Sequence, residues 1–482
     1  MEYKWRVLTN TTVATLMSAI DGNIVLISLP TIGRQLPGTS ATLLLWILLG
    51  YSLVTAVVLL NFGRLSDIFG RVRLYVIGFA VFTVGSALCG LSQTGLELVL
   101  FRLVQAIGAG FLFSNSAAII TDAFPPNERG RALGVNQVSI VAGSVAGLVL
   151  GGIITSTIGW RWIFYVNVPI GILATLRARA TLRELAKPET TAHIDWAGNL
   201  VFAGGLALLL IGITLGALGQ VGSTDAIGLV ILGLALLAGF VFLELRERHP
   251  MLDLSLFRNR QFSASALATL LNALARGAFT FILVFYLQGP PRYLSPLTAG
   301  LFLVPTSASL ATFGPVSGWL SDRYGPRPFL LAGLGVSACG FLWLSTIGAD
   351  ATFVQLLLPL VLVGSGMGLF AAPNRAAMMT AVPPTRRGVA SGTGITLVNT
   401  GATISLGLTL IIMSSALTRP EIQAIFLGTA SSGMPFAAGG KFLEAIHGIF
   451  LLSTFLVLAA LAPSVLRGGA PSKPPESSDA ID

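Results

Sequence analysis

Gly63-Arg64-Leu65-Ser66-Asp67-Ile68-Phe69-Gly70-Arg71-Val72-Arg73 is a short polar, basic turn set between two long apolar runs, and it occurs twice. Gly318-Trp319-Leu320-Ser321-Asp322-Arg323-Tyr324-Gly325-Pro326-Arg327 repeats Gly, Leu, Ser, Asp and Gly at the same internal spacing, 255 residues later. A second pair of landmarks keeps nearly the same offset. Pro125-Pro126-Asn127-Glu128-Arg129-Gly130, continuing to Gly134, is echoed 258 residues on by Pro383-Pro384-Thr385-Arg386-Arg387-Gly388, continuing to Gly392. Two independent landmarks at almost one offset make each half of the chain a copy of one multi-helix unit.

Composition sets the solvent of those units. With 54% hydrophobic and only 10% charged residues, and a mean hydropathy of +0.83, the chain lies far from soluble domains, in which about 25% of residues are charged. Apolar segments of about 20 residues, the length that crosses a hydrocarbon core, are expected at 8–29, 42–62, 74–92, 97–120, 132–155, 162–182, 198–217, 226–244, 264–287, 298–317, 328–347, 353–377, 389–413 and 446–466. None shows the alternation of a lipid-facing barrel, so helices are the reading. The expected fold class is an all-α membrane protein of two six-helix bundles with two extra central helices. Its divisions are an N-terminal bundle over 1–190, a two-helix insertion and linker over 191–250, a C-terminal bundle over 251–466 and a disordered tail over 467–482. Lys4 and Arg6 precede the first run, which continues to about Leu29 without a cleavage site, so it reads as a retained span.

The net charge of +9 could point to nucleic acid, but its placement does not. Of the 29 Lys and Arg, 21 fall at the N-terminus and in every second loop, and five (Arg34, Arg161, Arg292, Arg419 and Lys441) fall in the others. That asymmetry puts both termini in the cytoplasm of a plasma-membrane protein. The three left over, Arg102, Arg276 and Arg375, lie inside spans. Cys89 and Cys339 sit in apolar runs and form no disulfide framework or metal set. Gly108-Ala109-Gly110 and Gly364-Ser365-Gly366-Met367-Gly368 lie inside helical runs rather than after a strand, and no phosphate-binding loop with lysine occurs, so no nucleotide site, cofactor or metal is expected. Within the duplicated turn, Ser66 and Asp67 are expected to cap the following helix and Gly70 to make the turn. The stretch 414–444, interrupted by Gly428, Gly433, Gly439 and Gly440, is expected to be a flexible external loop.

The turn from Gly63 to Arg73 resembles the cytoplasmic signature of the major facilitator superfamily. Its neighbours resemble the fourteen-span drug:proton antiporters of the EmrB/QacA type. Asp21 with Ile24-Val25 and Leu29-Pro30, the aromatic pair Trp46 and Tyr51, and Trp160-Arg161-Trp162-Ile163-Phe164-Tyr165-Val166-Asn167-Val168-Pro169-Ile170-Gly171 are similar to segments of that family. Arg102, Gln105, Gly108 and Gly110 resemble its arginine motif, with Ala106 at a usual glycine. Gly143, Gly147, Gly151 and Gly152 resemble its antiporter motif, with Leu148 at a usual proline. The resemblance implies a secondary active exporter, not an enzyme, that exchanges protons for amphipathic drugs by alternating access. Its expected partners are the lipid bilayer, protons and a hydrophobic or cationic small molecule, and its expected state is a monomer.

Physical chemistry gives the site residues their roles. An acid mid-span costs about 2.5–3.5 kcal/mol to insert, and Asp21 is that acid. It is expected to be shared by a proton and an entering cation, or else fixed by a partner such as Asn23. For Arg102, with Gln105 one turn away, the resemblance implies a role in proton transfer or in shaping the affinity of the carboxylate; a structural ion pair is the competing reading. Asn23, Gln105, Asn272 and Arg276 are the other cavity candidates, with Arg276 facing either an anionic substrate or Asp21. Gly63, Asp67, Gly70, Arg71, Gly318, Asp322 and Gly325 form the expected cytoplasmic gate. Gly143, Gly147, Gly151 and Gly152 are expected to give a close helix contact, either where the halves rock or as static packing. A dedicated exporter of a metabolite, lipid or siderophore is the alternative on the same fold. A non-transporting receptor or membrane enzyme is the alternative of another class.

Overall fold

A computed structural model gives the fold for residues 2–125, 128–185, 195–247, 250, 252–290, 292–383, 386–427 and 436–467; the side chains of Leu60, Asn61, Gly63, Arg64, Asp67, Gly130, Arg387, Gly388 and residues 436–438 lie outside that description. Helices are the only regular elements among the described residues. The first unit comprises α1 (Tyr3–Gln35), α2 (Ala41–Phe69), α3 (Arg71–Leu91), α4 (Gly95–Ala123), α5 (Arg129–Thr157), α6 (Trp162–Tyr165) and α7 (Asn167–Thr181). A hairpin of α8 (Trp196–Ala217) and α9 (Ser223–Glu244) follows. The second unit comprises α10 (Arg260–Arg276), α11 (Phe279–Gln288), α12 (Pro296–Tyr324), α13 (Pro326–Leu344), α14 (Phe353–Thr380), α15 (Arg387–Ala416), α16 (Arg419–Phe426), α17 (Phe436–Ala459) and α18 (Leu461–Leu466).

Among the described residues, 13 helices are long and apolar enough to cross a membrane, with α10 and α11 counted as one span. The expected span at 162–182 is absent from that set because it is broken at Val166 into α6 and α7. Neither piece reaches across alone, but end to end they extend about 30 Å. The hairpin packs α8 on α9 and sets α8 against α2 of the first unit and α15 of the second.

The duplicated turn is built differently from the expectation. Helix α2 runs through Ser66 and Asp67 to Phe69, and the Ser66 hydroxyl donates to the Phe62 carbonyl one turn back instead of capping α3. The chain turns at Gly70, whose φ of 98° suits only glycine. The cap comes from elsewhere: the Glu184 carboxylate accepts the Arg71 and Val72 backbone N–H groups, each at 2.9 Å. An acid at a helix N-terminus satisfies orphan donors and complements the helix dipole. Arg71 itself pairs with Asp122 at 2.8 Å, within the same unit. In the second copy Gly325 (φ 82°) makes the turn and Pro326 starts α13.

The stretch 414–444 is not a plain loop. Helix α15 reaches Ala416, α16 occupies Arg419–Phe426, and Gly439 and Gly440 lie within α17. A capping box of Thr418 and Glu421 starts α16, as Thr and Glu three residues apart dictate. Its apolar face buries Ile422, Ile425 and Phe426, with the Phe426 ring against Phe281 and Phe285 of α11. Gly428 and Gly433 lie outside the described residues, as does the tail from 468 onward. Arg467, assigned to that tail, is instead 6% exposed and bonded to Asn374.

The two units clasp each other at the end away from the duplicated turns. A Cβ at Gly152 of α5 would lie 2.6 Å from the Leu297 Cα of α12, and one at Gly300 of α12 would lie 2.5 Å from the Leu148 carbonyl. The Gln288 amide donates to the Ile27 carbonyl at 2.8 Å, and Gly33 of α1 meets the Phe426 carbonyl of α16. At the turn end, one hydrogen bond joins the units among the described residues, from Arg375 Nη1 to Gln137 Oε1 at 3.4 Å.

Candidate functional site

Asp21 is completely buried in the first unit, and so is its partner. Arg102 Nη1 donates to Asp21 Oδ2 and to Gln105 Oε1, both at 2.6 Å. Gln105 Nε2 donates to Asp21 Oδ1 at 2.8 Å and to Ser86 Oγ at 2.5 Å, and Asn167 Nδ2 donates to Asp21 Oδ1 at 3.0 Å. The Tyr51 ring covers the guanidinium at 4.0 Å, while its hydroxyl is buried without a partner. Both carboxylate oxygens are therefore occupied by donors from α4 and α7, as a buried charge requires.

Each member arrives for a local reason. Arg102 and Gln105 are three apart on α4 and share its face. Helices α3 and α4 approach closely because Gly78, Gly85 and Gly108 leave no room for a side chain: a Cβ at Gly108 would lie 2.4 Å from the Phe82 nitrogen, and one at Gly85 would lie 2.7 Å from the Gln105 Cα. The break at Val166 places Asn167 at the start of α7, where its amide reaches inward. On the other flank, Gly143 and Gly147 pack on α1, where a Cβ would lie 2.8 Å from the Leu16 carbonyl and 2.6 Å from the Ile20 carbonyl, and Gly151 meets Ile24 and Ile27. These three glycines thus hold α5 against α1 inside one unit. Of the glycine set, Gly152 is the member that faces the other unit.

Several sequence-derived candidates take other places. Asn23 donates back to the Ala19 carbonyl on its own helix and does not hold Asp21. Gly63 and Asp67 lie outside the described side chains. Arg71 is tied to Glu184 and Asp122 in its own unit, Gly70 lies beside the Glu184 carboxylate, Asp322 is exposed, and a Cβ at Gly318 would meet Ala372 at an ordinary 3.7 Å.

A second polar group lies on the facing unit. Ser265, Thr269, Asn272 and Arg276 recur at helical spacing on one face of α10. The Asn374 amide of α14 donates to the Ser265 carbonyl at 3.1 Å and to Thr269 Oγ1 at 2.7 Å, and its oxygen accepts from Arg467 at 2.5 Å. Arg276 makes no hydrogen bond or ion pair with a described residue, so it does not neutralise Asp21, whose charge is matched by Arg102. Sequence reading missed Asn167, Ser86, Asp122 and Glu184. Asn167 had a signal in the aromatic stretch around it, whereas no local pattern marks Glu184.

Two six-helix units in tandem, clasped at one end and each spanning the membrane repeatedly, are the architecture of a helical membrane transporter. The chain belongs to the Major Facilitator Superfamily, whose family model matches residues 11–406 and 265–479. It is 33% identical over 391 residues to the riboflavin transporter RibZ of Clostridioides difficile, covering 80% of this chain and 83% of that protein. It is 34% identical over 414 residues to the multidrug resistance protein Stp of Mycobacterium tuberculosis, covering 84% and 76%. Among solved structures, a bacterial homolog of the human lysosomal transporter Spinster shares the fold with a TM-score of 0.69 at 17% identity, over 97% of each chain. The xylose transporter XylE from E. coli aligns with a TM-score of 0.61 at 14% identity, over 95% of this chain and 98% of that one.

Proposed function

We propose that this transporter is a proton-coupled exporter of amphipathic small molecules, working by alternating access in the plasma membrane with both termini in the cytoplasm. The observation that carries the reading is the Asp21–Arg102 pair, sealed among Gln105, Asn167 and Ser86 in the membrane interior. A charge buried at such cost and fully hydrogen-bonded is a functional feature by default in a membrane helix. Protonating Asp21 removes the countercharge of Arg102, and the guanidinium must then find another partner. The proton thereby acts on the shape of the cluster and not as a direct competitor for a cationic cargo, because the carboxylate is enclosed. The clasp at the far end and the sparse contact at the turn end fit a conformation that receives cargo from the cytoplasmic side.

One proton descending about 100 mV releases about 2.3 kcal/mol, and one pH unit adds about 1.4 kcal/mol. Together these hold a neutral cargo at a gradient of several hundredfold, so one carboxylate suffices. The relation to a riboflavin transporter favours a second reading, a dedicated exporter of one metabolite on the same fold. Efflux of a panel of dyes and metabolites from proteoliposomes under an imposed pH gradient separates the two: many competing substrates support the first, a single one the second. Accumulation that persists after a protonophore collapses the gradient defeats both.

A further inference from the structure

Arg276 and Arg375 lie on two helices of the second unit that carry no acid to match them. Helices α5, α10, α11, α14 and α15 contain no aspartate or glutamate at all. Arg276 of α10 is only partly exposed and has no partner among the described residues. Arg375 of α14 is exposed and reaches toward the first unit, where its Nη1 donates to the neutral Gln137 Oε1 at 3.4 Å. Arg467, 6% exposed, gives one N–H to Asn374 beside it, while its Nε and Nη1 donors are buried without partners. A guanidinium stays protonated whatever its surroundings, and its fork fits carboxylate, sulfonate or phosphate oxygens. A guanidinium that is buried or half-buried without a countercharge is unfavourable, so a wall of this kind is completed by an anion.

We propose that the α10–α14 wall, with Arg276 and Arg375 as its charged pair, receives an anionic group of the cargo, and that the transported compounds are amphipathic organic anions and not cations. This rests on the exporter reading above and names its substrate class.

The test uses the full chain in nanodiscs of phosphatidylcholine and two dyes that differ by one sulfonate, 1-anilinonaphthalene-8-sulfonate and N-phenyl-1-naphthylamine, titrated by fluorescence against empty discs. Arg276→Gln is expected to weaken sulfonate binding about tenfold or more and to leave the neutral dye unchanged, while Arg276→Lys retains part of the preference. Equal sulfonate binding by wild type and a monodisperse Arg276→Gln overturns the proposal. Should that variant aggregate, Arg375→Gln and Arg276→Lys are read against the same criterion. Loss of the Arg276-dependent signal when phosphatidylglycerol is added assigns the anion to a lipid headgroup and overturns the cargo assignment; persistence supports it. In proteoliposomes, preferential export of the neutral dye or of ethidium leaves the exporter reading standing and removes this one. Arg276-dependent binding with no flux of any dye leaves an anion site on this wall but removes the exporter reading and, with it, the cargo assignment.

Discussion

Replacing Asp21 with Asn tests the coupling cluster at its centre. The carboxylate accepts three hydrogen bonds, from Arg102 at 2.6 Å, Gln105 at 2.8 Å and Asn167 at 3.0 Å. A carboxamide keeps one acceptor oxygen and turns an NH2 group toward donors, and it leaves the Arg102 guanidinium, 1% exposed, without a countercharge. Breaking a buried ion pair from one side costs about 3–5 kcal/mol, which is about two to four powers of ten in the balance between arrangements of the bundle. The variant also imitates a permanently protonated site. In everted vesicles it should lose pH-driven accumulation of cargo, yet retain exchange of labelled for unlabelled cargo when no gradient is imposed. The double change Asp21→Asn with Arg102→Gln should recover part of the lost thermal stability, because the stranded charge is gone, without recovering accumulation. Gradient-driven accumulation by Asp21→Asn at the wild-type level refutes the reasoning. Strictly additive destabilisation in the double variant denies that the two charges act as a pair.

Three further outcomes follow from the geometry. Gly152→Leu cannot fit against the Leu297 backbone, so it should spread the clasp at the far end; alkylation of a cysteine placed at Leu297 should rise and export should fall, in protein that still purifies as a folded species. Glu184→Ala removes the cap from Arg71 and Val72 and should cost about 0.5–2 kcal/mol, seen as faster hydrogen exchange in the first turn of α3. The Thr418 backbone N–H, assisted by its hydroxyl, holds the Glu421 carboxyl below the usual carboxylate range, with Lys441 a lesser contributor. A depressed folded value means that the stabilisation is complete above the unfolded value of about 4.3 and is lost as pH falls through the folded one. Amide exchange across 419–426 should therefore accelerate only in that acid range, and Glu421→Gln should remove the dependence.

The fold was readable because the membrane constrains it so heavily: a bilayer admits helices of one length, and two repeated landmarks fixed the duplication. Asp21, Arg102 and Gln105 were visible for the same reason, since charged residues inside apolar runs stand out. Their partners were not. Asn167 becomes a ligand of the cluster only because the chain breaks at Val166, and Glu184 becomes a helix cap only because the end of α7 returns to the start of α3. Such long-range contacts leave no local pattern. The same limit explains the error at 414–444, where glycines read as loop punctuation while Thr418 and Glu421, three residues apart, already spelled a capping box. It also explains why Ser66 and Asp67 looked like caps, when the preceding helix simply continues through them.

If the cargo is anionic, its export in exchange for an entering proton moves two charges per turnover. The membrane potential then contributes about 4.6 kcal/mol per 100 mV instead of about 2.3. A potassium diffusion potential, positive on the side to which cargo is exported, should accelerate its export, whereas it would oppose export of a dication.

The most direct test of the account is proton movement itself. Sealed proteoliposomes enclosing a pH-sensitive dye are given a cargo gradient and no pH gradient. Cargo leaving the lumen should bring protons in and acidify it, at a rate that falls to the protein-free baseline in Asp21→Asn although that variant still exchanges cargo. Wild-type cargo flux with the luminal pH unmoved would contradict the claim that the buried pair joins the two fluxes.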